Sequence, residues 1–327
     1  NSWKYIIAPA DGYNIISVGA VDELGNIAGF SSRGPTYDGR IKPEVVAFGV
    51  NTYGAVAGTN NGYRFASGTS AAAPIASGVA ALLLSAHPHL KNTQMRSIIL
   101  ESASNSSNPN NQIGYGIISA KNAIEFPNLE NINGQYILHK TIFDKNINAN
   151  SVNIVFQIAD DLLEAIPMTK SGDYDFTYTF PIKSNGELVE FTIMFSDSQN
   201  NNYTLPQVGK FKFNYGTDII SLNLDAPSLP NYGDVSDFFP NPFIPSNHKY
   251  VSFLYYTKGN EILSVAIIDG SGQKVKEFKI TTSSLAGYYP FEWDGIADRG
   301  YLCASGVYYA LIQLGGKEYG KKLVLIK

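Results

Sequence analysis

The chain has 327 residues, 44% of them hydrophobic and 16% charged, with a formal net charge of −4. That length exceeds one typical core and suits two or three domains of roughly 100 residues each, while the apolar share excludes wholesale disorder. The mild acidity gives no electrostatic reason to expect nucleic acid or an anionic membrane, the single cysteine, Cys303, excludes an internal disulfide, and the longest apolar run, Val79 to Leu84, is far short of the roughly 20 residues of a bilayer span.

The opening NSWKYIIAPADGYNIISVGAV lacks an initiator Met and runs straight into fold-like sequence, so the expectation is the middle of a longer protein. From residue 1 to 127 the chain is rich in Ala, Gly and Ser. Short β-branched runs (Ile15 to Val21, Val45 to Val50) mix with helical patterns, which points to an α/β layer. The stretch ASGTSAAAPIASGVAALLLSA, residues 66 to 86, is a small-residue turn running into a long apolar helix. A second helix is signalled by NTQMRSIILESA, with Asn92 or Thr93 as cap and Met95, Ile98, Ile99 and Ser102 on one face. Gly114 to Ala123 reads as a turn and short helix, and Pro127 closes the region.

Residues 128 to 235 change character. Tyr174, Phe176, Tyr178 and Phe180 alternate with Asp175, Thr177 and Thr179, and Leu188 to Phe195 and Lys210 to Tyr215 repeat this period of two between turn clusters. That is the pattern of an antiparallel sandwich. The region 236 to 327 opens on the Pro-punctuated FFPNPFIPS and continues as strands. Ile262 to Ile268 leads into a hairpin turn at Asp269 to Gly272, and KKLVLIK forms the last strand. No helix is needed after residue 130.

Ser70 stands at the joint between the small-residue turn and the long helix. Alone, Gly68, Thr69 and Ser70 read as a helix start with Ser70 or Thr69 capping. The wider stretch admits chemistry instead. Gly68 allows a tight turn, Ala71, Ala72 and Ala73 leave room for a substrate, and Pro74 is tolerated in the first turn. A hydroxyl there feels the helix N-terminus, where free backbone N–H groups can receive an oxyanion. This suits acyl transfer, with a long, buried, Ala- and Leu-rich helix fixing the nucleophile.

Gly68, Thr69, Ser70, Ala71, Ala72, Ala73, Pro74 and Gly78 resemble the G-T-S-x-A-x-P-x-x-x-G block around the nucleophile of subtilisin-like serine peptidases. IISVGAVD (15 to 22), FSSRGP (30 to 35), IKPEVVAFGV (41 to 50) and GYGIISAKNAI (114 to 124) are similar to that family's successive blocks, in order, over about the first 125 residues. Phe48 departs from the pattern, standing where the family has Pro before the Gly. A relative, the serine-carboxyl peptidases, carries a similar Ser block, but the K-P-E-V-V-A and G-Y-G segments resemble the subtilisin branch.

The resemblance implies peptide-bond hydrolysis through an acyl-enzyme on Ser70, with the Gly68–Ser70 turn and the Ser70 N–H serving the oxyanion. It also implies the chain order Asp, His, Ser. The D-[ST]-G and H-G-T blocks are absent, and neither Asn1 nor Asn14 sits in an A-G-N block, so Asp, His and the oxyanion Asn are expected upstream. The chain is then the C-terminal half of a peptidase domain, inactive alone.

Four histidines, His87, His89, His139 and His248, all follow Ser70. At about 1.5 Å per residue, the helix that Ser70 begins places His87 roughly 25 Å from the hydroxyl, outside hydrogen-bond reach. His87 and His89 read as helix C-terminal residues, where cations suit the dipole. Nothing around His139 or His248 resembles a catalytic block. Asp11, Asp22 and Asp38 lack metal-ligand spacing, and the acidic loops 160 to 164 and 196 to 202 read as solvated turns rather than calcium sites. No cofactor is expected, and the metal content stays open, structural calcium included.

The middle region resembles Ig-like or fibronectin-type modules of secreted bacterial peptidases. The last region, through NPFIPS, VAIIDGSGQKV, FEWDGIADRG and SGVYYALI, resembles the Ig-like domain of the flagellar hook-capping protein and the sorting domains of the type IX secretion pathway. Trp293 and the other aromatics also read as core. The expected fold is multidomain, with a partial α/β subtilisin-like domain of parallel sheet and helices (1–127) and two all-β sandwiches (128–235 and 236–327). The expected partners are protein or peptide substrates, the upstream half of the peptidase domain and secretion machinery, with no nucleic acid and no membrane span, for a secreted or cell-surface protein. The alternative is a degenerate peptidase acting as a secreted binding or surface-structural protein through its β modules.

Overall fold

Val18–Val21 (β1) and Val45–Phe48 (β2) pair in parallel, with Val18 opposite Val45 and Val21 opposite Phe48. Ile117 adds a parallel bridge to Val46. Val21, Val45 and Val46 are buried and Val18 is half-buried, close to the pattern of a covered parallel sheet. This is a computed structural model, and it describes residues 5–157, 164–224, 234–284 and 287–327. Phe48 keeps the strand register, and the chain turns at Gly49. An antiparallel hairpin follows, Thr52–Ala55 (β3) with Tyr63–Ala66 (β4).

The apolar run becomes Thr69–Ala86 (α1). Ala72, Ala76, Val79 and Leu83 form one buried stripe at helical spacing, and α1 packs on β1 and β2. The expectation of a buried helix is corrected here, because Leu82 is 55% exposed and Ile75 and Leu84 are exposed as well. Its apolar residues run all round the helix, but among the described residues only one side meets a packing layer. By length and composition α1 meets the requirement for a membrane span, yet its buried stripe packs against strands.

Asn92–Glu101 (α2) starts one or two residues earlier than a cap at Asn92 or Thr93 implies. Neither Asn92 nor Thr93 is the cap. Lys91 occupies that position and its N–H donates to Gln94 Oε1 at 2.9 Å, so the acceptor comes from the third helical residue. Gln94 is buried because its Nε2 also donates to the carbonyls of Leu129 and Asp218, each at 2.7 Å. Ala120–Glu125 (α3) has Ser119 as cap, its Oγ accepting from the Asn122 N–H. Asn128–Ile132 (β5) and Gln135–Thr141 (β6) then form a hairpin through Asn133 and Gly134, both at positive φ (54° and 87°), as a type I′ turn requires. The aromatic strand Asp175–Thr179 pairs antiparallel with β6; Phe176 and Phe180 are buried and Tyr178 is half-buried.

These elements belong to one compact unit, residues 1–143 with 171–185 and 216–221; a second holds 144–170, 186–215 and 222–327. In the second, Leu188–Ser196 pairs antiparallel with Asn153–Gln157, Lys210–Asn214 and Asn202–Leu205. Its C-terminal part has a two-stranded ribbon, Val251–Thr257 with Gly287–Trp293, and a four-stranded antiparallel sheet of Lys274–Thr281, Ile262–Asp269, Gly306–Leu314 and Lys317–Leu325. Both sheets contribute to one core that includes Phe253, Phe291, Trp293, Val265, Ile312 and Leu323. The expected hairpin turn at Asp269 to Gly272 is present. Past residue 130, the helical structure among the described residues is the 3₁₀ turn Ala149–Ser151.

Candidate functional site: the Ser70 turn

The turn that presents Ser70 hangs on the ends of the parallel strands. The Gly49 N–H donates to the Val21 carbonyl at 2.9 Å, and the Gly68 N–H donates to the Gly49 carbonyl at 2.8 Å. A Cβ on Gly49 would lie 2.7 Å from Ala20 Cβ and 2.8 Å from the Gly68 oxygen, so only glycine permits this approach. Gly68 itself sits at φ 153°, ψ 160°, a region open essentially to glycine alone.

Gly68 is the N-cap and has no side chain, so the reading of Ser70 or Thr69 as the cap is overturned. Thr69 and Ser70 are the first two residues of α1, whose opening N–H groups lack an acceptor within the helix. The Ala71 and Ala72 N–H groups turn back to the Gly68 carbonyl at 3.0 and 3.3 Å, but the Ser70 N–H does not. It is free beside its own hydroxyl, at the positive end of an 18-residue helix. The Ser70 side chain is exposed.

A cavity of about 710 Å³ borders the turn, with Thr69 in its lining. Ile6, Ile7, Ile15 and Val18 give it apolar walls, and Ser17, Ser32 and Arg33 are among its polar points. The I-K-P-E-V-V segment braces the wall at Ser17. Glu44 Oε2 accepts from the Ser17 N–H (2.8 Å) and Oγ (2.6 Å), and Oε1 from the Lys42 ammonium and from Arg96 Nη2 (3.1 Å). Lys42 and Glu44 are both buried, and such a pair persists only when its remaining donors and acceptors are filled. Lys42 also donates to the Gly12 carbonyl at 2.9 Å, which completes the network.

No histidine hydrogen-bonds Ser70 among the described residues. His87 Nε2 lies 3.0 Å from the Ile124 carbonyl, His89 Nε2 is 2.7 Å from Asn128 Oδ1, His139 Nε2 is 3.1 Å from Glu130 Oε2, and His248 Nδ1 accepts from the Ile244 N–H at 3.1 Å. His87 is buried, and burial pushes its imidazole below the ordinary value while the Ile124 carbonyl opposes the shift, so the reading as a charged dipole partner is corrected. Asp22 and Asp38 are engaged in separate loops. Asp22 accepts from Leu24 and Asn26, and Asp38 from Thr36, Arg40 and Tyr13. The acidic stretch at 160–163 lies outside the described residues. In the 196–202 loop, Asp197 accepts from the N–H groups of Gln199 and Asn201, the Asn201 amide and the Tyr203 hydroxyl. One grouping escaped the sequence. His89, Glu130 and His139 lie together, with the two imidazoles stacked at 4.4 Å between centroids.

A serine hydroxyl on the second residue of a helix, with free N–H groups beside it and an adjoining cavity, has the geometry of an acyl-transfer nucleophile. Residues 1–116 match the subtilase family. Over 114 residues the chain is 39% identical to a subtilisin-like protease of Arabidopsis thaliana, an alignment covering 31% of this chain and 11% of that protein. It is 35% identical over 116 residues to the halolysin-like extracellular serine protease of Natrialba magadii, covering 36% of this chain and 20% of that one. A solved self-cleaved protease domain of PatA is 33% identical, covers 36% of this chain and 43% of its own, and superposes with a TM-score of 0.31. The chain therefore spans only a small part of the curated relatives it matches.

Proposed function

We propose that Ser70 is the nucleophile of a secreted serine endopeptidase, attacking the scissile carbonyl to form an acyl-enzyme. The observation that carries this reading is the turn itself. Gly68 occupies a glycine-only conformation, caps nothing with a side chain, and leaves Ser70 exposed with its own N–H free. That N–H is one oxyanion donor, and the cavity lined by Thr69 is part of the substrate site.

The general base, the group that orients it and a second oxyanion donor come from an upstream half of the same domain. Two features support this: every described histidine is engaged elsewhere, and the apolar surface of α1 at Ile75, Leu82 and Leu84 is uncovered. The 327-residue chain alone is accordingly inactive. Incubated with casein or a chromogenic peptide, it is expected to release no product above the Ser70→Ala variant. Hydrolysis by this chain that disappears in Ser70→Ala would contradict the reading.

The division at 1–127, 128–235 and 236–327 is part of the proposal, as are an Ig- or fibronectin-like role for the middle segment and a sorting role for the last. The extracellular relative supports secretion. The β-only texture of residues 236–327 suits a module read by secretion machinery.

A further inference from the structure

The geometry points to a divalent transition-metal site of the zinc class formed by His89, Glu130 and His139. Each residue offers one ligand atom, and the three atoms lie within 4.8 Å of one another. In a tetrahedral shell with bonds of about 2.0–2.1 Å, neighbouring ligand atoms are roughly 3.3–3.5 Å apart, so rotamer-scale movement closes the set. Glu130 Oε2 and His139 Nε2 already stand at 3.1 Å.

The backbone explains the convergence. In the β5–β6 register Asn128 is opposite His139 and Glu130 is two residues further along the same strand face, so Glu130 and His139 are diagonal neighbours. His89 comes from the short segment between α1 and α2, and its ring stacks on His139 at 4.4 Å with 28° between planes. Asn128, itself buried, meets His89 Nε2 with Oδ1 at 2.7 Å, the kind of outer contact that fixes the orientation of a ligating imidazole. Its Nδ2 has no partner. His87 is near, with centroids 5.9 Å from those of His89, but its Nε2 is held by the Ile124 carbonyl.

The donor set selects the ion. Two imidazoles and one carboxylate suit zinc and its neighbours, whereas calcium and magnesium demand oxygen shells. The three side chains are half-buried, which leaves a path for the ion and a fourth position for water. Its role would be structural, clasping the β5–β6 hairpin to the segment that follows the nucleophile helix.

The test is calorimetric titration of the 327-residue chain with zinc alone, paired with X-ray absorption of the zinc-loaded chain. The expected result is one ion per chain, an absorption shell containing two imidazoles, and a rise in thermal midpoint that a chelator reverses. The paired variant His89→Ala/His139→Ala is expected to lose at least about 100-fold in affinity and Glu130→Gln about 10-fold or more, with His248→Ala unchanged. Equal binding by the paired variant and the parent chain, or no saturable zinc binding, overturns the site. If the paired variant does not fold, the absorption shell decides: fewer than two imidazoles overturns the proposal.

Discussion

Two glycines flanking Ser70 sit in opposite environments. Gly68 holds φ 153° and a Cβ there would lie 3.1 Å from Ser70 Oγ, while the space around Gly78 is open within 4 Å. Gly68→Ala is therefore expected to lower unfolding free energy by about 1–3 kcal/mol. Gly78→Ala, on an exposed part of α1, is expected to raise it by up to about 1 kcal/mol through helix propensity. Urea denaturation of the two variants checks both signs. The Gly68 requirement was legible in the sequence as a tight turn. The assignment of the cap was not, because serine and threonine at a helix start read as caps until the backbone shows which residue is still extended.

Individual elements behave as their side-chain periods dictate, and the loops behave as their local hydrogen bonds dictate. In the loop joining Leu188–Ser196 to Asn202–Leu205, the Asn201 side-chain amide is the foremost of the contacts holding the Asp197 carboxyl below its ordinary 3.8. A depressed folded-state value means that the stabilisation is complete above 3.8 and is lost as pH falls through the window beneath it. Asp197→Ala is expected to lower the thermal midpoint at neutral pH and to flatten the acid limb below that value. Melting curves across the acid range test this. The alternating aromatics of 174–180 and the hairpin at 269–272 were legible because period and turn chemistry are local. The capping of α2 at Lys91 was missed because its acceptor, Gln94, is also committed to Leu129 and Asp218. The His89, Glu130 and His139 cluster was invisible for a related reason, since it depends on strand register and on a loop distant in sequence.

At the scale of the whole molecule, the chain passes from the first compact unit to the second, returns twice, and ends in the second. Val155 and Met194 pack with Leu254 and Tyr288, so excising residues 236–327 would strip a core as well as remove the proposed signal. A fusion is the cleaner probe. A reporter carrying residues 236–327 is expected to reach the surface or medium in a host with type IX secretion and to stay inside a host lacking it. The exposure of α1 was not legible, because an apolar helix reads the same whether or not its far side is covered. Its exposed apolar side and the free Ser70 N–H fit one account, that the nucleophile is presented here and activated by groups supplied from upstream. The most direct test is fluorophosphonate labelling of the longest polypeptide that contains this chain, read as an adduct on Ser70 by peptide mass. The account expects an adduct there, none on the 327-residue chain alone and none in Ser70→Ala. An unlabelled Ser70 in the longer polypeptide, with its upstream segment folded, would contradict it.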